Sequence, residues 1–126
     1  MSMRYTVSKR FDFPAAHSNS HHAGQCNHKH GHTWVLEVCA EGPLVEADDR
    51  DDFGMVLDFQ RLKEAYTEMI EPFVEHQDLD ETLAFLPERT TELIAGWALE
   101  QLHSACPEVQ RVRLWEGLTS YVEVEL

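Results

Sequence analysis

At 126 residues and 43% hydrophobic, the sequence can bury one ordinary core and is too short for two, so a single domain over residues 1–126 is expected. Its 23 acidic and 10 basic residues give a formal net charge of -13, which would repel a nucleic-acid backbone and argues against DNA or RNA as a partner. No stretch approaches the roughly 20 apolar residues of a membrane span, the opening MSMRYTVSKRF is not a signal peptide, and three cysteines without a C-x-x-C pair fit reduced thiols, so a soluble cytoplasmic protein with no membrane partner is expected.

In chain order, Arg4 to Phe13 alternates, with Tyr5, Val7, Phe11 and Phe13 on one side, and predicts a strand. His17 continues that apolar side in phase, unless Pro14 inserts a bulge. Thr33 to Cys39, TWVLEVC, predicts a second strand. The acidic run EADDRDDFG, Glu46 to Gly54, reads as an exposed loop. Asp58 stands as N-cap before Phe59, Leu62, Tyr66, Met69 and Ile70 at helical spacing, a helix ending near Pro72. A second helix starts at the threonines of TTELIAGWALEQLHSACP, carries Leu93, Ile94, Trp97 and Leu102 as one stripe and stops at Pro107. VQRVRLWEG and TSYVEVEL alternate around a Gly117-Leu118 turn and form a hairpin. The order ββααββ describes an α+β protein, an antiparallel sheet with two helices on one face. The patterned edge Tyr121 to Leu126 invites pairing with another copy, so a homo-oligomer is expected.

The densest chemistry lies in CNHKHGH, Cys26 to His32, preceded by AAHSNSHHAG. Residues two apart on a strand point the same way, so His30 and His32 form a chelating pair, with Gly31 leaving room between them. If the first two strands pair, His17 joins them at the end of one apolar face. Three imidazoles with a vacant fourth position is how zinc is held when it works on a substrate; a structural zinc would want a fourth protein ligand, for which Cys26 is the candidate. Cys39 points to the opposite face. His21, His22 and His28 read as solvated. Glu116 shares parity with Val112 and Leu114, so its carboxylate ends an apolar face where an unpaired charge is costly.

The segments FDFPAAH, CNHKHGH, VLDFQRLK, EHQDLD, TTE and LWE, in this order from Phe11 to Glu116, resemble the 6-pyruvoyl-tetrahydropterin synthase family. Three residues separate Cys26 from the His-Gly-His, a gap that favours the carboxy-forming branch used in queuosine synthesis. The resemblance implies the tunnelling fold, with subunits joined edge to edge in a barrel as two trimers of a hexamer. It implies zinc (Zn2+) on His17, His30 and His32, catalysis by Cys26 and His76, and a pterin held by Thr90, Thr91, Glu92 and Glu116. Where the family usually has Asp before the catalytic histidine this protein has Glu75, still able to orient the imidazole.

The implied lyase substrate is 7,8-dihydroneopterin triphosphate, and the implied products are 6-carboxytetrahydropterin, acetaldehyde and triphosphate. Cys26 would act as base if a neighbouring cation lowers its thiol pKa, with His76, oriented by Glu75, as proton donor or as the partner that activates the thiol. Two other readings share these residues: formation of the pyruvoyl product, and a non-catalytic zinc module closed by Cys26. Thr90 and Thr91 have an ordinary reading as helix caps, and Glu92 as a charge favouring the helix dipole.

Overall fold

The computed structural model describes residues 1–24 and 27–126; Cys26 therefore lies outside the described residues. Alternation carries two long strands, β1 (Tyr5–His17) and β2 (His30–Gly42), paired antiparallel from Tyr5 opposite Gly42 to His17 opposite His30. The register runs through Pro14 without a shift, so no bulge interrupts the phase between Phe13 and His17. Both strands extend beyond the expected segments and take in the histidines at their ends.

Asp58 caps α1 (Phe59–Met69) by accepting from the Gln60 amide. Pro72 does not simply end this helix. It sits in the first turn of a one-turn helix, α2 (Glu71–Val74), where its missing N–H is not needed. Two further short elements escaped the periodicity: β3 (Gln77–Asp78), which pairs in parallel with Ala15 and Ala16 of β1, and α3 (Leu79–Thr82), capped by Asp78. The second long helix, α4 (Thr91–Ala105), is followed by β4 (Val109–Glu116) and β5 (Ser120–Glu125). Gly117, at φ 75°, supplies the left-handed residue that their turn requires. The sheet order is β3-β1-β2-β4-β5, so the α+β architecture holds with one more strand and two more helical turns than expected.

The helices cover one face of the sheet. Phe13, Trp34, Leu36, Val38, Val112 and Leu114 meet Leu62, Tyr66, Ile94, Ala98 and Leu102, all buried. Leu93 departs from the expected stripe: it is 38% exposed on the outer side of α4, while Ile94, Trp97 and Leu102 are buried. Trp34 is wholly buried and donates its indole N–H to the Ala15 carbonyl at 3.2 Å. An aromatic side chain so placed contributes on the order of 3 kcal/mol and forms the floor beneath the histidines. On the other face, opposite charges alternate across four strands in one row, Arg10, Glu37, Arg113 and Glu123. Among the described residues no helix is long and apolar enough to cross a membrane.

Arg61 ties α1 to the loop before β4 through two hydrogen bonds to Glu108, at 2.9 and 3.0 Å. These bonds hold the Glu108 carboxyl down, from 4.5 to about 2. A depressed carboxyl stabilises the fold above its unfolded pKa and loses that effect as pH falls through the folded one. Both side chains are about a third exposed, so solvent screening limits the pair to about 1 kcal/mol. Denaturant titrations of Glu108→Gln should show a loss of that size at pH 7, with the two curves converging between pH 4.5 and about 2.

Candidate active site

The unbroken β1–β2 register brings His17, His30 and His32 together at one end of the apolar face. Ring centroids lie 4.6 Å apart for His17 and His30, 4.7 Å for His30 and His32, and 5.3 Å for His17 and His32. His17 is wholly buried, in edge contact with Trp34. Its Nδ1 lies 2.8 Å from the Arg89 carbonyl, so that nitrogen carries the proton and donates, leaving Nε2 as the lone-pair atom. His30 repeats the arrangement with Nδ1 2.7 Å from the His28 carbonyl. This is how metal-binding histidines are oriented by an outer partner. Nε2 of both His17 and His32 is buried with no hydrogen-bond partner, a state that costs on the order of 1–3 kcal/mol unless something else satisfies it.

Glu116 completes the group. Among the described residues, His17, His30, His32 and Glu116 form a set whose ligand atoms lie within 4.8 Å of one another and that could hold a metal ion. The strand parity that aligns Glu116 with Val112 and Leu114 also sets it opposite Trp34, one same-face step from His32. Its Oε1 approaches His32 Nε2 at 3.1 Å without the alignment of a hydrogen bond, and its Oε2 accepts a 2.6 Å bond from the Thr91 hydroxyl. Burial pushes the His32 imidazole down, aided by His30 and His17 and opposed by Glu116; the net shift is downward and favours the neutral, ligating form. The donor set fits a borderline-soft divalent ion such as zinc.

The other candidate residues lie around this group. Thr90 is a helix cap, accepting from the Leu93 amide at 3.2 Å, in keeping with its ordinary reading. Thr91, Glu92 and Glu116 line one small cleft of about 200 Å3 with Ser120, Tyr121 and Val122. His76 stands outside the imidazole group, just before β3 on the side of β1 away from β2, where its backbone N–H donates to the Pro14 carbonyl at 2.9 Å. Its side chain is 76% exposed, with Glu75 Oε1 3.3 Å from Nε2. His76 also holds φ 55°, a left-handed conformation that costs on the order of 1 kcal/mol in a non-glycine residue and tends to mark functional positions. A shallow cleft lined by His76, Gly31, His32 and Thr33 runs beside it. Gly31 is not required for spacing between the imidazoles: a Cβ there would meet only the Ala15 carbonyl oxygen, at 4.0 Å. The His21, His22 and His28 side chains are exposed.

Sequence reasoning missed the groups that hold this site from behind. Glu88, 7% exposed, accepts from the Ser20 hydroxyl and the His21 amide, and Asp80 accepts from the Ser18 amide and hydroxyl. Asp80 was visible as the last residue of EHQDLD, but nothing local ties it to Ser18, 62 residues earlier.

Comparison with known proteins identifies the family. A family model described as 6-pyruvoyl tetrahydropterin synthase matches residues 6–126. The sequence is 33% identical to a 6-carboxy-5,6,7,8-tetrahydropterin synthase of Synechocystis, over 92% of its own length and 89% of that protein. It is 31% identical to a dihydroneopterin monophosphate aldolase of Pyrococcus furiosus, over 98% and 99%. The solved structure of Caenorhabditis elegans 6-pyruvoyl tetrahydropterin synthase superposes with a TM-score of 0.85 at 23% identity, covering 98% of the present protein and 96% of that one. With a strand register that gathers three imidazoles and a family match over nearly its whole length, this protein belongs to the 6-pyruvoyl tetrahydropterin synthase family.

Proposed function

We propose that this protein is a zinc-dependent 6-carboxy-5,6,7,8-tetrahydropterin synthase that serves queuosine formation by converting 7,8-dihydroneopterin triphosphate and water to 6-carboxy-5,6,7,8-tetrahydropterin, acetaldehyde and triphosphate. The observation that carries the reading is the pair of Nδ1–H donations, from His17 to the Arg89 carbonyl and from His30 to the His28 carbonyl, which turns two strand-end histidines into oriented ligands beside a third. The 33% identity to the Synechocystis enzyme of that name supports the same choice.

On this reading His17, His30 and His32 hold the zinc, which when bound acts as Lewis acid toward the hydroxyls of the substrate. Glu116 accepts hydrogen bonds from the pterin 2-amino group and ring N–H, a donor pair matched to a carboxylate. Thr91 gives its hydroxyl proton to Oε2 and so fixes the carboxylate plane for the incoming ring. Thr90, whose oxygen is taken by the helix amide, keeps its own proton for the ligand, and Glu92 lies at the rim of the cleft that holds Thr91 and Glu116. Cys26, as thiolate, removes the proton from a carbon of the substrate's hydroxylated tail, and His76, steadied by Glu75, returns a proton to the product side. An edge-to-edge assembly belongs to the same reading: β5 and most of β1 each have a single strand neighbour among the described residues.

Incubation with 7,8-dihydroneopterin triphosphate, followed by mass spectrometry and an aldehyde assay, tests the reaction. The expected outcome is 6-carboxytetrahydropterin with equimolar acetaldehyde and triphosphate. A pyruvoyl product would assign the other synthase branch. A hydroxymethylpterin with a phosphorylated two-carbon aldehyde would assign an aldolase of the kind named in Pyrococcus furiosus.

Glu116→Gln keeps the shape but turns an NH2 group toward the pterin donors, and should lower kcat/KM by about 2–4 kcal/mol in transition-state stabilisation with zinc content retained. Glu123, on the other face against Arg113, is the control, and Glu123→Gln should leave kcat/KM near the parent value. Loss of zinc from Glu116→Gln would make the carboxylate a ligand and contradict its assignment to the pterin.

A further inference from the structure

His17 and His30 are end residues of their strands and face each other as the terminal pair of the β1–β2 ladder. Terminal pairs open most readily, because nothing beyond them holds the two strands together. A metal set built there needs an external anchor. Asp80, at the start of α3 and 16% exposed, is placed to supply it. Its carboxylate accepts from the amide and the hydroxyl of Ser18, the residue after His17, at 3.1 and 2.7 Å. It also faces the ammonium of Lys29, the residue before His30, at 3.7 Å. One carboxylate thus holds the backbone just after His17 and pairs with the side chain of the residue just before His30.

The surroundings reinforce that grip. Lys29 is paired with Asp78, the cap of α3, whose side chain accepts from the Asp80 amide at 3.0 Å. The Arg89 guanidinium stands 3.5 Å from Asp80 and 3.7 Å from Glu88, while its carbonyl receives the His17 Nδ1–H at 2.8 Å. Glu88 in turn holds Ser20 and His21. Burial raises the Asp80 carboxyl, but the Ser18 donors, Lys29 and Arg89 outweigh it and hold it below the usual range, so it is ionised at neutral pH.

We propose that Asp80 is a positioning residue that clamps the open end of the β1–β2 ladder and thereby fixes His17 and His30 at the separation the metal needs. The proposal rests on the metal reading of the three histidines. It adds a residue outside the candidate ligand group whose removal loosens that group.

The test uses the full-length protein and the variants Asp80→Ala, Asp80→Asn and Glu108→Gln. Hydrogen exchange of the Ser18 amide in metal-free protein reads the clamp directly. It should quicken at least about tenfold in Asp80→Ala, with amides of α1 unchanged. Zinc titration and the visible spectrum of the cobalt-loaded protein read the consequence. Zinc should bind about 10–100-fold more weakly in Asp80→Ala, the range expected for an outer partner of a metal ligand, and the cobalt bands should shift. Asp80→Asn, which keeps an acceptor for the Ser18 amide but loses the charge facing Lys29 and Arg89, should fall between and stays informative if the alanine variant fails to fold. Glu108→Gln loses a comparable ion pair remote from the histidines and should keep parent zinc affinity.

Unchanged Ser18 exchange would overturn the clamp whether or not metal binds. Altered exchange with parent zinc affinity, or an equal loss in Glu108→Gln, would overturn the positioning role. A parent protein with a protected Ser18 amide but no zinc binding would overturn the metal reading itself, and the positioning role with it.

Discussion

The antiparallel register between β1 and β2 is the constraint on which the rest of the site depends. Side chains alternate faces along a strand, so a slip of one residue would send His30 and His32 to the outer face and Gly31 inward. Burial of Phe13, Ala15, Trp34, Leu36 and Val38 on one face makes such a slip costly, because each would exchange places with residues such as Asp12, Glu37 or Thr33. The apolar core therefore does more than stabilise the sheet. It sets the parity that delivers three imidazoles to one point, with Trp34 as their floor.

Chemistry at that point follows from what each imidazole has left to offer. A histidine that donates Nδ1–H to a carbonyl has a defined tautomer, and its Nε2 must find a cation or a donor. His17 meets this condition in a wholly buried position, where the unpaired nitrogen would otherwise be a liability. Glu116 brings a carboxylate to the same place through the β2–β4 pairing, held by Thr91 from the first turn of α4. Two registers and one helix start thus converge on a site that no single segment contains.

Much of this was legible in the sequence. Alternation through Phe11 and Phe13 placed His17 in phase, the His-Gly-His spacing placed His30 and His32 on one face, and the parity of Val112 and Leu114 placed Glu116, all consequences of a period of two. Capping chemistry placed Asp58 and Thr90. The rest was not local. β3 and α3 are too short to show a period, and Pro72 reads equally as the end of one helix or the first turn of the next. The partner of His17 is a backbone carbonyl 72 residues away, and a carbonyl has no residue type to recognise. Gly31 reads as a spacer in the sequence, yet the space around its Cβ position is open. The grip of Asp80 and Glu88 on residues 18–21 exists only once the segment 78–89 has folded back beside β1.

On the proposed function, three imidazoles without a thiolate form an open metal site. Zinc K-edge X-ray absorption on the loaded, substrate-free protein measures this directly. The expected spectrum shows nitrogen and oxygen scatterers alone, at about 2.0–2.1 Å, with the outer-shell pattern of three imidazoles. A sulfur scatterer at about 2.3 Å would make Cys26 a ligand, close the site, and contradict the catalytic reading.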